Sequence, residues 1–264
     1  MALASRLAII PGGIGGIGSV TGKLLRGHGS KLALLYAPFE ASKVASKIQE
    51  TYGDESDDIR PYECDITSPS SVKNAFASIE KDNAAFPAFL INSAGYVTLS
   101  PLEDTSPEEI QRHFNINLFG PTLTGQAFAR MYFAARQKVA DTGTKPYGGR
   151  IVNIASQAAH IALHHHGVYC ASKAGVLGLT RCQASEWGPR GITANSISPG
   201  PVWTQMGKDA WADRGAREAY QASVPTGEFA EPDEVARIVE FLVLDKALNI
   251  NGADIRLDGG YTVR

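Results

Sequence analysis

Tyr169 and Lys173 stand four residues apart in Tyr169–Cys170–Ala171–Ser172–Lys173, and Ser156 precedes the tyrosine by thirteen residues. Positions i and i+4 share one face of a helix, so a phenol and an ammonium placed there can meet. A phenol ordinarily keeps its proton to about pH 10. An ammonium fixed beside it favours the phenolate and lowers that pKa. Such a tyrosine can exchange a proton with an alcohol or ketone near neutral pH, and Ser156 can hydrogen-bond the same substrate oxygen. A lone YxxxK pair also arises by chance on surface helices, so the assignment needs companions elsewhere in the chain.

The N-terminus supplies one. Leu7–Ala8–Ile9–Ile10 is a short apolar run that predicts a buried strand. It leads into Pro11–Gly12–Gly13–Ile14–Gly15–Gly16–Ile17–Gly18, followed by a predicted helix from Ser19 to about His28. Strand, glycine turn and helix N-terminus together form a pyrophosphate site, because glycines let the backbone approach and the helix end offers free N–H groups. Two glycine frames fit: Gly13–x–Gly15–x–x–Gly18 and Gly12–x–x–x–Gly16–x–Gly18.

With Asn92–Ser93–Ala94–Gly95, Asn117, Ser156, Tyr169, Lys173 and Pro199–Gly200, the second frame follows the order and spacing of the short-chain dehydrogenase/reductases, which this chain resembles from Leu7 to Leu257–Asp258–Gly259–Gly260. Three departures stand out. Pro11 replaces the family's threonine, Ser93 replaces the second asparagine of its NNAG motif, and Phe86–Pro87–Ala88 replaces an Ile–Asp pair. The resemblance implies that Tyr169 is the acid/base, and that Lys173 lowers its pKa and binds the nicotinamide ribose. It implies that Ser156 orients the substrate oxygen and that Asn117 supports a proton relay through water. The cofactor is implied to run past Gly12, Gly16, Ile17, Gly18, Tyr36, Asp65, Ile66, Asn92, Ala94, Gly95, Ile154, Pro199, Gly200, Val202 and Thr204 as well as Tyr169 and Lys173.

Cofactor choice falls, by the same resemblance, at the end of the second strand. An acidic residue there holds the ribose hydroxyls of NAD, and a cation beside it accommodates the 2′-phosphate of NADP. This chain has Tyr36–Ala37–Pro38–Phe39–Glu40, with no cation there or in the glycine loop. The expectation is NAD(H) ahead of NADP(H).

These residues need a scaffold. Strands are predicted near 7–11, 31–36, 59–63, 88–92, 150–154, 192–197 and 253–257, with helices between them. That alternation predicts an α/β fold: a single-domain, Rossmann-like, doubly wound parallel sheet of about seven strands with helices on both faces, spanning 1–264. Ser106–Pro107 reads as a helix start. The helix it opens carries Asn117 and meets Pro121, where a kink is expected. A Gly-, Thr- and Pro-rich stretch over 141–149 reads as a mobile surface connection. The segment near 201–230, with Trp203, Met206, Trp211 and Tyr220, reads as a substrate lid. Apolar stripes near 106–137 and 168–187, including Phe119, Leu123, Phe128, Val176, Leu177 and Leu179, suit burial against the sheet, and the remainder suit a subunit contact. The resemblance implies a homodimer or homotetramer through those helices.

Composition narrows the class. The chain has 264 residues, is 44% hydrophobic and carries a net charge of −2, which gives no electrostatic case for a nucleic-acid or anionic-membrane partner. No apolar stretch reaches the roughly 20 residues of a membrane span, and the start Met1–Ala2–Leu3–Ala4–Ser5–Arg6 is too short for a signal peptide. Cys64, Cys170 and Cys182 cannot all pair, which suits a reducing, cytoplasmic setting. No metal is expected: His164–His165–His166 are adjacent and cannot all face one ion, so they and His160 read as a polar rim or as solvent-facing. Cys170 reads as packing, with no base to activate it. The expected partner is a small alcohol or ketone. Asp258–Gly259–Gly260–Tyr261–Thr262–Val263 resembles the ending of some polyol dehydrogenases, while 3-oxoacyl thioesters and aromatic or steroid ketones are alternative substrates. A catalytically silent dinucleotide sensor would be expected to lose Ser156, Tyr169 or Lys173, and this chain keeps all three.

Overall fold

The central strands are almost wholly apolar and buried on both faces, the pattern that a parallel sheet covered by two helical layers requires. A computed structural model, describing residues 3–53 and 56–263, contains that sheet. Its strands are β1 Arg6–Pro11, β2 Lys31–Tyr36, β3 Ile59–Glu63, β4 Phe86–Asn92, β5 Gly149–Ile154, β6 Ile192–Pro199 and β7 Asp254–Leu257. All pair in parallel, in the order β3-β2-β1-β4-β5-β6-β7. Chain direction along the sheet reverses between β1 and β4, so a ligand crevice opens beyond their carboxyl ends. The glycine turn leaves β1 there, and Asn92–Gly95 leaves β4 beside it.

The helices are α1 Gly16–Gly27, α2 Val44–Tyr52, α3 Pro69–Asp82, α4 Pro107–Phe114, α5 Gly120–Ala140, α6 Gly167–Trp187, α7 Gln205–Ala210, α8 Arg214–Ser223 and α9 Pro232–Val243. Two apolar cores lie on either side of the sheet. One joins Ile10, Leu34, Phe89 and Ile197 to Leu25, Val239 and Leu242. The other joins Ile9, Leu35, Leu90 and Ile151 to Phe76, Phe128, Tyr132 and Ala184. Met1 and Ala2, which open the short N-terminal stretch weighed above, lie outside the described residues. Among the described residues no helix is long and apolar enough to cross a membrane.

Two local expectations change. The first helix starts at Gly16, not Ser19, so part of the glycine motif itself forms the first turn. Ser106 caps α4 as expected, accepting from the Glu109 N–H. The break expected at Pro121 is spread upstream: Asn115–Phe119 form a π turn, and Pro121 sits in the first turn of α5. Proline has no N–H to close an α-type bond onto the Asn117 carbonyl, and a wider turn absorbs the defect. The 141–148 connection is irregular and mostly exposed.

Candidate active site

The carboxyl end of β5, the π turn that follows α4 and the helix α6 bring Ser156, Asn117, Tyr169 and Lys173 together. Ser156 follows β5 and is 9% exposed. Its hydroxyl accepts from the Ala158 N–H at 3.2 Å and faces the Tyr169 phenol, whose ionised form it favours. Lys173, one turn beyond Tyr169 on α6, places Nζ 5.8 Å from the tyrosine ring centroid and donates to the Ile154 carbonyl at 2.8 Å. A methyl group built on Gly95 would stand 3.7 Å from both Asn117 Oδ1 and Lys173 Nζ, so these two side chains converge over the Gly95 backbone.

The electrostatics correct one expectation. The Tyr169 phenol is not lowered: burial pushes it above its ordinary value, and the Ser156 hydroxyl opposes the rise. Part of the ring surface reaches solvent, but protein surrounds the phenol densely enough for desolvation to dominate. Burial draws Lys173 down to about 8. With its ammonium turned to the Ile154 carbonyl, it does not reverse the effect of burial on the phenol.

Asn117 is committed on its side chain. Oδ1 accepts from the Tyr96 N–H at 2.8 Å, while Nδ2 donates to the Tyr96 carbonyl at 2.8 Å and to Ser172 Oγ at 3.0 Å. A water relay from Asn117 must therefore start at its main-chain carbonyl, the group that Pro121 leaves without an α-helical partner.

The cofactor groove fits a dinucleotide on geometric grounds. Gly12 has φ +75°, and a Cβ there would meet Ala94 N at 2.8 Å. A Cβ on Gly16 would meet the Thr204 side chain at 2.5 Å, and one on Gly18 would run into the Gly12 carbonyl. These glycines hold loop against loop, and the space beyond them opens on an α1 N-terminus without a side-chain cap, whose N–H groups suit a pyrophosphate. Ile17 lies in that first helical turn.

The remaining groove residues divide. Tyr36 ends β2 and packs against the core. Glu40 accepts from the Ala37 N–H at 2.9 Å, which fixes its carboxylate beside the end of that strand. Asp65 folds on itself and accepts from Thr67 N at 2.9 Å and Thr67 Oγ1 at 2.7 Å, so one of its oxygens serves the turn. Ile66 packs under Gly120. The Asn92 side chain is consumed inside the fold, donating to Asn153 Oδ1 at 2.8 Å and accepting from Thr124 at 2.8 Å, so only its backbone faces outward chemistry. Pro199 and Gly200 close β6, Val202 bridges to Ala230, and Thr204 caps α7.

The histidines separate. His160 turns inward, away from any rim, with Nε2 2.8 Å from Asp254 Oδ2. The His166 ring lies 6.1 Å from Tyr169, on the substrate side. Among the described residues no group of three or more His, Cys, Asp or Glu is placed to hold a metal. Cys64 is buried, which pushes its thiol up to about 11 and makes it inert.

Five contacting residues carry no signal of their own in the sequence. Tyr96 and Thr98 share Glu109 Oε2 at 2.8 and 3.0 Å, His113 accepts from Thr98 N at 3.2 Å, and Gln157 donates to Tyr220 on α8 at 2.6 Å. The i, i+4 spacing from Glu109 to His113 to Asn117 is the signal that marks this face.

A doubly wound sheet with a Ser–Tyr–Lys cluster beside a dinucleotide groove defines a nicotinamide-dependent oxidoreductase. A family model described as Enoyl-(Acyl carrier protein) reductase matches residues 12–262. D-threitol dehydrogenase of Mycolicibacterium smegmatis is 36% identical over 262 residues, covering 99% of this chain and 95% of that protein. NAD-dependent glycerol dehydrogenase of Listeria innocua is 35% identical over 264 residues, covering 99% and 96%. A short-chain dehydrogenase/reductase from Serratia marcescens superposes with a TM-score of 0.84 at 27% identity, over 99% of this chain and all of that one. The chain belongs to the short-chain dehydrogenase/reductase family, and it is an NAD(P)-dependent enzyme that interconverts alcohols and ketones.

Proposed function

We propose that the substrate is a small polyol and its ketose, with Tyr169 as the proton donor and acceptor. The observation that carries the mechanism is the convergence of the Ser156 hydroxyl, the Tyr169 phenol and the buried Lys173 ammonium, whose Nζ lies 5.8 Å from the tyrosine ring centroid. The nicotinamide would supply or take the hydride. In reduction the Tyr169 hydroxyl gives its proton to the carbonyl oxygen, and in oxidation the phenolate takes the proton from the alcohol. Ser156 donates to the same oxygen and holds it. Lys173 favours the phenolate whenever its charge is turned toward the ring, and the Asn117 main-chain carbonyl offers water a path to Lys173.

The polyol reading draws on the names of the two curated relatives and on the hydroxyl-bearing wall around Thr98 and Glu109. The segment 201–230 is the proposed lid of a single domain. Trp203, Trp211 and Phe229 pack edge to face at 5.3–5.5 Å there, and Tyr220 stacks on Tyr261 at 4.9 Å. NAD(H) is the proposed cofactor, with NADP(H) the alternative, because the fixed Glu40 carboxylate opposes a 2′-phosphate. A homo-oligomer built on α5 and α6 suits Phe119, 41% exposed, and the half-buried Leu123 and Leu179. A cytoplasmic setting suits three free cysteines.

The test is Tyr169→Phe, which keeps the ring and deletes the proton. Turnover of threitol, glycerol or their ketones should fall by at least about a thousandfold, toward the upper range of general acid–base contributions, while NADH still binds by fluorescence titration. Near-normal turnover in that variant sinks the assignment.

A further inference from the structure

His113 is the one buried residue among the eight of α4, 1% exposed, and both of its ring nitrogens are committed. The Thr98 N–H can only donate, so Nε2, 3.2 Å away, is the acceptor. The ring proton is therefore on Nδ1, which donates to the Glu109 carbonyl at 2.8 Å. The same imidazole packs edge to face on Tyr96 at 5.0 Å and on the catalytic Tyr169 at 6.4 Å, with interplanar angles of 60° and 71°.

The wall formed by residues 96–98 is thus held at nearly every polar atom by one helical face. Asn117 takes the Tyr96 N–H and carbonyl, Glu109 takes the Tyr96 and Thr98 hydroxyls, and His113 takes the Thr98 N–H. The imidazole links that wall to the phenol.

We propose that neutral His113 is a positioning residue for Tyr169, and that its protonation disables catalysis by removing the acceptor for the Thr98 N–H. This rests on Tyr169 being the acid/base. A protonated imidazole presents two donors, and one would then face the Thr98 N–H donor. A half-buried amide left facing a second donor is unfavourable, so the wall moves and the tyrosine loses its support. The charged and titratable groups around the ring are Glu109 from its own helix, Tyr96 from the wall with Arg112 over its far side, and Tyr169 with Lys173 behind it from α6.

Two variants separate the ring from the acceptor. His113→Phe keeps an aromatic body and deletes the acceptor. Its kcat should fall tenfold or more while KM for NADH stays within about twofold. His113→Gln keeps an acceptor that cannot be protonated. Its kcat should stay within about threefold of wild type, and its kcat–pH profile for ketone reduction should lack the acid-side fall expected of wild type. Glu109 remains in the Gln variant, so a limb that belongs to Glu109 survives the substitution. A Phe variant with wild-type kcat overturns the proposal. So does a wild-type profile that is flat on the acid side while circular dichroism shows a folded protein, or a Gln variant with the same acid limb. If the Phe variant does not fold, the Gln profile alone decides. Should Tyr169→Phe prove active, the acid/base reading itself fails, and that result is independent of either His113 variant.

Discussion

Pro11 and Ser93 meet. The Ser93 hydroxyl donates to the Pro11 carbonyl at 2.7 Å, and the Ser93 N–H donates to the same oxygen at 3.1 Å. Both residues are departures from the family pattern, and together they form a single tie between the ends of β1 and β4, directly beneath the glycine turn. A Cβ on Gly18 would stand 2.6 Å from the Ser93 hydroxyl, so this tie also needs glycine at 18. Ser93→Ala leaves the carbonyl one hydrogen bond and should lower stability by about 1 kcal/mol, with kcat near wild type. Urea unfolding measures the first and steady-state turnover the second. An unchanged denaturation midpoint would mean that the backbone bond alone holds the two strands.

The glycines of the cofactor loop should fail in different ways. A methyl at position 18 runs into the Gly12 carbonyl, which is backbone and cannot step aside. Gly18→Ala should therefore destabilise the fold by about 3 kcal/mol, seen as a fall in thermal midpoint. At position 16 the obstacle is the Thr204 side chain, the cap of α7. Gly16→Val should keep the fold and weaken NADH binding at least tenfold by pushing Thr204 and the 201–230 segment outward. Adding Thr204→Gly should recover part of that loss. Equal damage to thermal midpoint from both glycine variants would contradict this division.

The sheet was legible because its strands are continuous apolar runs of the length that a doubly covered parallel sheet needs, as in Leu32–Leu35 and Leu90–Ile91. Helix α1 was misjudged at its start because glycines have poor helix propensity. The turn at Gly16–Gly18 forms through tertiary contact and the Ser19 N–H bond to the Gly15 carbonyl at 2.8 Å. Proximity of Tyr169 to Lys173 follows from i, i+4 spacing. The direction in which the ammonium turns depends on the Ile154 carbonyl, which belongs to another strand and leaves no local mark. His160 escaped for the same reason: its partner Asp254 is 94 residues away.

The proposed preference for NAD(H) turns on Glu40. Its carboxylate is anchored on the Ala37 N–H, so one anion is fixed and one backbone donor is removed from the turn that would otherwise greet a 2′-phosphate. The kcat/KM for NADH should exceed that for NADPH. Glu40→Gln preserves an acceptor for Ala37 and deletes the charge, so it should narrow the ratio between the two cofactors. A wild-type preference for NADPH of tenfold or more, about 1.4 kcal/mol, would place the phosphate elsewhere, with Ser42 and Lys43 the next residues to mutate.

Lys173 carries a pH dependence whose sign is fixed by burial. It is 4% exposed, and burial draws its pKa from an ordinary 10.5 down to about 8. Between those values the unfolded chain holds a proton on this side chain and the folded protein does not, so unfolding binds a proton and stability rises with pH. The full difference is roughly 3 kcal/mol, at 1.36 kcal/mol per pH unit. Cys64 and Tyr52 are both raised in the folded state, and they oppose this trend at high pH by keeping protons that the unfolded chain releases. The clean measurement is therefore a difference. Wild type minus Lys173→Met should gain stability as pH rises from about 8 toward 10, with the buried charge unfavourable below that window. On the proposed mechanism, in which a charged Lys173 favours the phenolate when turned toward it, catalysis should run the other way: kcat/KM for ketone reduction should decline as pH passes about 8. A stability difference that stays flat from pH 7 to 10 would show that Lys173 keeps its charge in the fold, and that the Ile154 carbonyl compensates for burial.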